Sequence, residues 1–160
     1  MNDSGELRQR PPVSARRQDT MRIASLASED ELEVALAALG PLPAVWDVRA
    51  PEVGLVMLQG RMGGDGAPFN LGEATVTRAA VRLESGEIGI SYLLGRCARR
   101  ARLAAMVDAL AQSAQHADAL SAALVAPVRQ RVARERARLS AETNATRVEF
   151  FTMARGEDTP

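Results

Sequence analysis

The chain has no lysine, a single cysteine and a single histidine, and aromatic residues make up only 3% of its 160 residues. Each shortage excludes something. With Cys97 alone, no disulfide can close within the chain, which fits a reducing compartment. With His116 alone, a histidine-rich zinc site is out of reach, and no Ser–His–acid spacing suggests a nucleophilic triad. So few aromatics leave no stacking platform of the kind that grips single-stranded nucleic acid. The net charge is zero, so bulk electrostatics drive the chain toward neither nucleic acid nor an acidic membrane. No apolar run approaches the ~20 residues of a membrane span, and the first residues lack an apolar signal core. The expectation is a cytoplasmic protein with no nucleic-acid and no membrane partner. All twenty basic residues are arginines, a bias that a GC-rich genome explains more simply than guanidinium chemistry.

What remains is ordinary globular material. Hydrophobic residues are 46% and charged residues 25%, enough for one core without metal or disulfide. Residues 1–14 are polar and proline-punctuated and read as a disordered tail, leaving 15–160 as a single domain. Residues 15–27 suit a short helix. Ser28-Glu29-Asp30-Glu31 matches a capping box, followed by Leu32, Leu36 and Leu39 on one helical face and by Gly40-Pro41 as a stop. The period then changes. Val53, Leu55 and Met57 alternate with Gly54, Val56 and Leu58, an extended segment apolar on both faces. Residues 75–83 form a Thr/Val-rich strand with Arg78 and Arg82 on one face. After a turn at Glu84-Ser85-Gly86, Ile88, Ile90, Tyr92 and Leu94 alternate with Glu87, Gly89, Ser91 and Leu93. Helical spacing returns with Leu103, Met106, Val107 and Leu110. A last helical stretch over 117–142 is interrupted at Pro127, with Val128, Val132 and Leu139 on its buried side and Arg131, Arg134, Arg136 and Arg138 on a solvated face. The predicted fold class is therefore α+β, a small antiparallel sheet flanked by N-terminal and C-terminal helices.

The most informative stretch is 60–72, with five glycines in thirteen residues between two strands. Gly63, Gly64 and Gly66, flanked by Arg61 and Arg78, could present backbone N–H groups to a phosphate or phosphonate. The competing reading is a long hairpin tip that packs on another subunit. It is neither a Walker loop nor a dinucleotide fingerprint, because no Gly-Lys-Ser/Thr follows and no helix opens there. Phe69 in this stretch, and Phe150, Phe151 and Met153 near the C-terminus, are apolar docking candidates. Asp65 and Glu73 could form an acid–base pair, though turn and strand-edge roles explain them more cheaply. Cys97 has no neighbouring histidine to activate it. No catalytic residue can be assigned, and no metal ligand set is visible.

Several segments together carry a resemblance. They are Glu52-Val53-Gly54-Leu55-Val56, Gly60-Arg61-Met62-Gly63-Gly64-Asp65-Gly66, Gly72-Glu73-Ala74-Thr75-Val76-Thr77-Arg78-Ala79-Ala80-Val81-Arg82-Leu83 and Tyr92-Leu93-Leu94-Gly95-Arg96. With the ending Asn144-Ala145-Thr146-Arg147-Val148-Glu149-Phe150-Phe151-Thr152-Met153-Ala154-Arg155-Gly156, they resemble in order and spacing the PhnG family, the G subunits of the bacterial carbon–phosphorus lyase core complex. Cys97 departs from the acidic residue expected after the Gly-Arg pair. The resemblance implies a subunit that is not self-sufficient and that assembles with H, I and J subunits and an associated L protein. It also implies support for transfer of a phosphonate to the ribose C1 of ATP with release of adenine, in phosphonate catabolism. ATP would be co-substrate of the complex, and no cofactor is expected on this chain alone. The alternative from the residues is a free-standing nucleotide- or phosphate-sensing module that uses the glycine loop.

Overall fold

The structure, a computed structural model, describes residues 12–63 and 65–146. Helix α1 (Pro12–Leu26) begins three residues earlier than the sequence suggested, so 12–14 belong to a helix rather than to the tail. The other expected tail residues, together with Gly64, Phe150, Phe151 and Met153, lie outside the described residues.

Helix α2 (Glu29–Ala37) starts on the predicted capping box. The Glu31 N–H donates to Ser28 Oγ at 3.1 Å, and the Ser28 N–H donates to Glu31 Oε2 at 2.8 Å. Leu32 and Leu36 are buried and Leu39 packs beside them, as the spacing requires. Gly40 then takes φ +77 and ends the run.

Strands β1 (Val45–Arg61), β2 (Pro68–Leu83) and β3 (Ile88–Leu94) form one antiparallel sheet in the order β1-β2-β3. The turn between β2 and β3 is closed by the Leu83 N–H donating to the Glu87 carbonyl at 2.9 Å, with Gly86 at φ +103. Helix α3 (Ala98–Leu110) lies across the inner face, where Thr77, Ala79, Val81, Leu83, Gly89, Ser91 and Leu93 are buried.

The side of β3 that faces the helix is the small one. A Cβ at Gly89 would sit 2.0 Å from the Ala105 carbonyl oxygen and 2.4 Å from the Ala109 nitrogen. Ala101, Ala104, Ala105 and Ala109 face the sheet with no bulk to hold it off, and Ser91 Oγ donates to the Ala101 carbonyl at 2.7 Å. The helix backbone therefore rests almost on the strand. The large apolar set of β3 turns the other way, with Leu94 71% and Tyr92 57% exposed.

Among the arginine–carboxylate pairs that fasten the helices, two are the least exposed. Asp108, 1% exposed, accepts from Arg17 Nε and Nη2 at 2.9 and 2.8 Å and from the Ile90 N–H at 2.9 Å. This joins α1, α3 and β3 at one buried point. Beyond α3, helix α4 (Ala114–Leu120) passes through a π-helical turn (Ser121–Val125) into α5 (Ala126–Ala145). The wide turn holds Ala123, whose carbonyl Pro127 would otherwise meet in a regular helix, so the rod continues past the proline. Arg131 donates to Glu31 at 2.7 and 2.9 Å, to the Leu26 carbonyl at 2.9 Å and to Glu135 at 3.0 Å. The expectation that Arg131 lies on a free solvated face is thus corrected, because it pins α5 to the α1–α2 joint. Leu139, expected on the buried side, is 57% exposed because α5 has left the body by that point.

Gly89→Ala should cost roughly 1–3 kcal/mol or more, since its methyl group meets backbone atoms that cannot step aside; chemical denaturation of the isolated chain measures it. Arg131, and then the Ser28 N–H, hold the Glu31 carboxyl below its ordinary range. A depressed carboxylate contributes stability above its unfolded pKa, and this is lost as pH falls through the folded value. Glu31→Gln, which keeps the cap but removes the charge, should lose about 1 kcal/mol at neutral pH. The gap from wild type should narrow as pH falls below about 4, read as urea midpoints at pH 7 and pH 3.

Candidate functional site

Strand β3 ends opposite Val76, where Gly95 at φ +87 turns the chain away toward α3. Past that row β1 and β2 continue alone as a two-stranded ribbon, from Leu55 opposite Thr75 to Arg61 opposite Pro68. A register shift beside Leu58, with Gly72 at φ +151, gives β2 one extra residue there. Gly60 makes room for its neighbours, since a Cβ there would lie 2.3 Å from Leu71 Cδ1. Leu55, Met57, Leu58, Phe69 and Leu71 are all exposed, Leu55 and Leu71 by 62% and 64%. A two-stranded ribbon is marginal in water without a third strand or a helix on one face. The sequence anticipated apolar character on both faces of β1, and neither face is covered here.

At the tip, the Gly66 N–H donates to the Met62 carbonyl at 3.1 Å, and Arg61 Nη1 donates to the Gly66 carbonyl at 3.1 Å. Gly63 adopts φ +66, and a Cβ at Gly66 would lie 2.5 Å from the Met62 oxygen, so two of the loop's glycines answer a definite backbone demand. The loop is closed on itself by Arg61, and both Arg61 and Gly63 are exposed.

Arg78 sits elsewhere. It lies ten residues along β2 from Pro68, the partner of Arg61, or roughly 30 Å at the rise of a strand. The two arginines expected to flank the glycine loop are therefore not brought together within one chain. Arg78 Nε donates to Glu52 Oε1 at 2.5 Å, and Arg49 donates to the same oxygen at 2.9 Å. The Glu52 bond, followed by Tyr92, raises the Arg78 pKa further, so it is a permanent cation on the outer sheet face.

Asp65 and Glu73 are exposed, with Asp65 in the loop and Glu73 on the ribbon. Cys97 is half-buried at the start of α3, its N–H donating to Thr77 Oγ1 at 3.0 Å. His116 is half-buried beside Leu42, Pro43 and Ser85, with its Nδ1 unpartnered. No group of three or more His, Cys, Asp or Glu able to hold a metal occurs among the described residues. A depression of about 530 Å³ runs along α5 beside Arg131, Arg134, Glu135, Arg138 and Leu139, and it is an open furrow on one helix rather than a pocket. No helix among the described residues is long and apolar enough to cross a membrane. Sequence reasoning missed Asp108, whose lone carboxylate in an alanine-rich helix was the available signal. It also missed Trp46, which β1 places on the outer sheet face.

Comparison with known proteins closes the identification. The chain is 53% identical over 144 residues, 90% of its own length and 92% of the relative's, to a Rhizobium meliloti (strain 1021) protein named alpha-D-ribose 1-methylphosphonate 5-triphosphate synthase subunit PhnG. The family model described as phosphonate metabolism protein PhnG matches residues 15–156. With the ordered segments of the ribbon, sheet and helices inside that match, this chain belongs to the PhnG family.

Proposed function

We propose that this chain is an assembly-dependent subunit of the synthase that builds ribose 1-methylphosphonate 5-triphosphate in phosphonate catabolism. In this reading it works in the cytoplasm within the carbon–phosphorus lyase core complex, beside the H, I and J subunits and the associated L protein. The complex transfers a phosphonate to the ribose C1 of ATP and releases adenine, and ATP is co-substrate of the assembly rather than a ligand of this chain alone. The observation that carries the reading is the ribbon, whose large apolar side chains stand in solvent on both faces of a two-stranded element. A surface of that kind is stable when a partner covers it.

Within the assembly, Arg61, Gly63, Gly64 and Gly66 are the residues of this chain suited to meet a phosphate. A guanidinium with N–H groups to spare at the end of a projecting arm can reach into a neighbour's site. Phe69 on the ribbon, with Phe150, Phe151 and Met153 of the C-terminal segment, are the docking residues in this reading. The rival, a free-standing nucleotide sensor, is weakened by the loop's own closure, since the Gly66 N–H and carbonyl are already engaged inside it.

Two outcomes are expected. Leu55→Asp with Leu71→Asp should leave the melting of the isolated chain nearly unchanged but abolish co-elution with the other subunits on size exclusion. Undiminished co-elution would end the assembly role of the ribbon. In an assembled complex, Arg61→Ala should lower synthase turnover by about a hundred- to a thousandfold if it serves as a charge-stabilising donor. Full turnover with intact stoichiometry would remove the tip from the phosphate site, and saturable micromolar ATP binding by the solitary chain would favour the sensor instead.

A further inference from the structure

The outer face of the sheet is a second uncovered surface, distinct from the ribbon's tip. Cross-strand pairing sets it out in four rows. Trp46, Arg82 and Ile88 form the first and Arg49, Ala80 and Ile90 the second. Glu52, Arg78 and Tyr92 form the third, and Gly54, Val76 and Leu94 the fourth. A three-stranded sheet with helices on one side is half of a three-layer arrangement, and its open side is normally polar. Here it is not. Trp46 (49% exposed), Tyr92 and Phe69 are the aromatic residues among the described part of the chain, and all three are exposed while the described core is built from aliphatic side chains. Trp, Tyr and Arg are the residue types that dominate the centres of protein interfaces.

The charge on this face selects the kind of occupant. Three arginines, Arg49, Arg78 and Arg82, stand against one carboxylate, Glu52, which is already shared between two of them. A second copy of the chain would oppose cations with cations, which disfavours a symmetric face-to-face pair. A segment with an apolar stripe for Ile88, Ile90, Tyr92 and Leu94 and carboxylates for the free ends of Arg78 and Arg82 meets every row.

We infer that the outer sheet face docks an acidic amphipathic segment, with a helix as its simplest form, from a different subunit of the same assembly. This inference rests on the assembly reading above and deepens it by naming a second surface and the chemistry of what covers it. The ribbon reaches outward from the body, whereas this face is a broad platform on it, so the two can engage separate parts of one partner.

The test uses the full chain co-expressed with the other synthase subunits. Hydroxyl-radical oxidation of Trp46 and Tyr92 should fall several-fold in the purified complex relative to the isolated chain. Arg82→Glu and Tyr92→Ser, both at exposed positions, should leave the isolated chain's thermal melt in place and weaken assembly by about tenfold or more, read by native mass spectrometry across a dilution series. If the wild-type complex forms but both aromatics stay as reactive as in the free chain, or both variants assemble like wild type, the outer-face inference is overturned while the assembly reading survives. A wild-type chain that joins no complex overturns both. An isolated chain that dimerises and is dissociated by these variants overturns the choice of a different subunit.

Discussion

The contact on which the rest of this fold depends is the near-touching of α3 and β3 at Gly89. A helix backbone that close to a strand tolerates only small residues between them, and both sides supply these: Gly89, Ser91 and Ala79 from the sheet, and Ala101, Ala104, Ala105 and Ala109 from the helix. Alternation along a strand is strict, so putting the small set inward forces Ile88, Ile90, Tyr92 and Leu94 outward. The exposed apolar platform is therefore not an accident of surface composition. It follows from how tightly the other face is packed.

Around that contact, a buried carboxylate and partly buried arginine pairs add to the apolar packing. Asp108 holds α1 and the free edge of β3 through one side chain, and its acceptance of the Ile90 N–H also shields that edge from stray strand pairing. Gln112 and Arg17 complete the shield by donating to the Ile88 carbonyl. Arg131 plays the equivalent part for α5 at the α1–α2 joint. Removal of either partner would leave a charge without compensation in a half-dry setting, which is more costly than the pair is stabilising. The lack of lysine fits these positions, because a planar guanidinium can serve a carboxylate and a carbonyl at once.

Much of this was legible in the sequence. The capping box at Ser28 and Glu31, the stripe of Leu32 and Leu36, the strand carrying Arg78 and Arg82, and the turn at Gly86 are local patterns whose physics needs no knowledge of the rest of the chain. The orientation of β3 was not legible. Apolar alternation marks two faces, and which one is buried depends on how near α3 comes, a distance no single strand encodes. The same limit applies to Leu139, whose spacing from Val128 and Val132 is right for a buried stripe although the helix has outrun the body it would pack on. Arg61 and Arg78 seemed neighbours of one loop because they are near in sequence, but an extended strand spends its residues on distance. Sequence proximity overstates spatial proximity most in strands of this kind.

Among the described residues the interior is aliphatic, which has a consequence for anyone who watches this protein with light. Trp46, the chain's single tryptophan, stands half exposed on the platform, so its emission reports on that surface more directly than on the packing of Val81, Val107 and Leu110. The same indole stands where a neighbouring subunit would shade it from water. The indole is thus a spectroscopic probe of that surface as well as of folding.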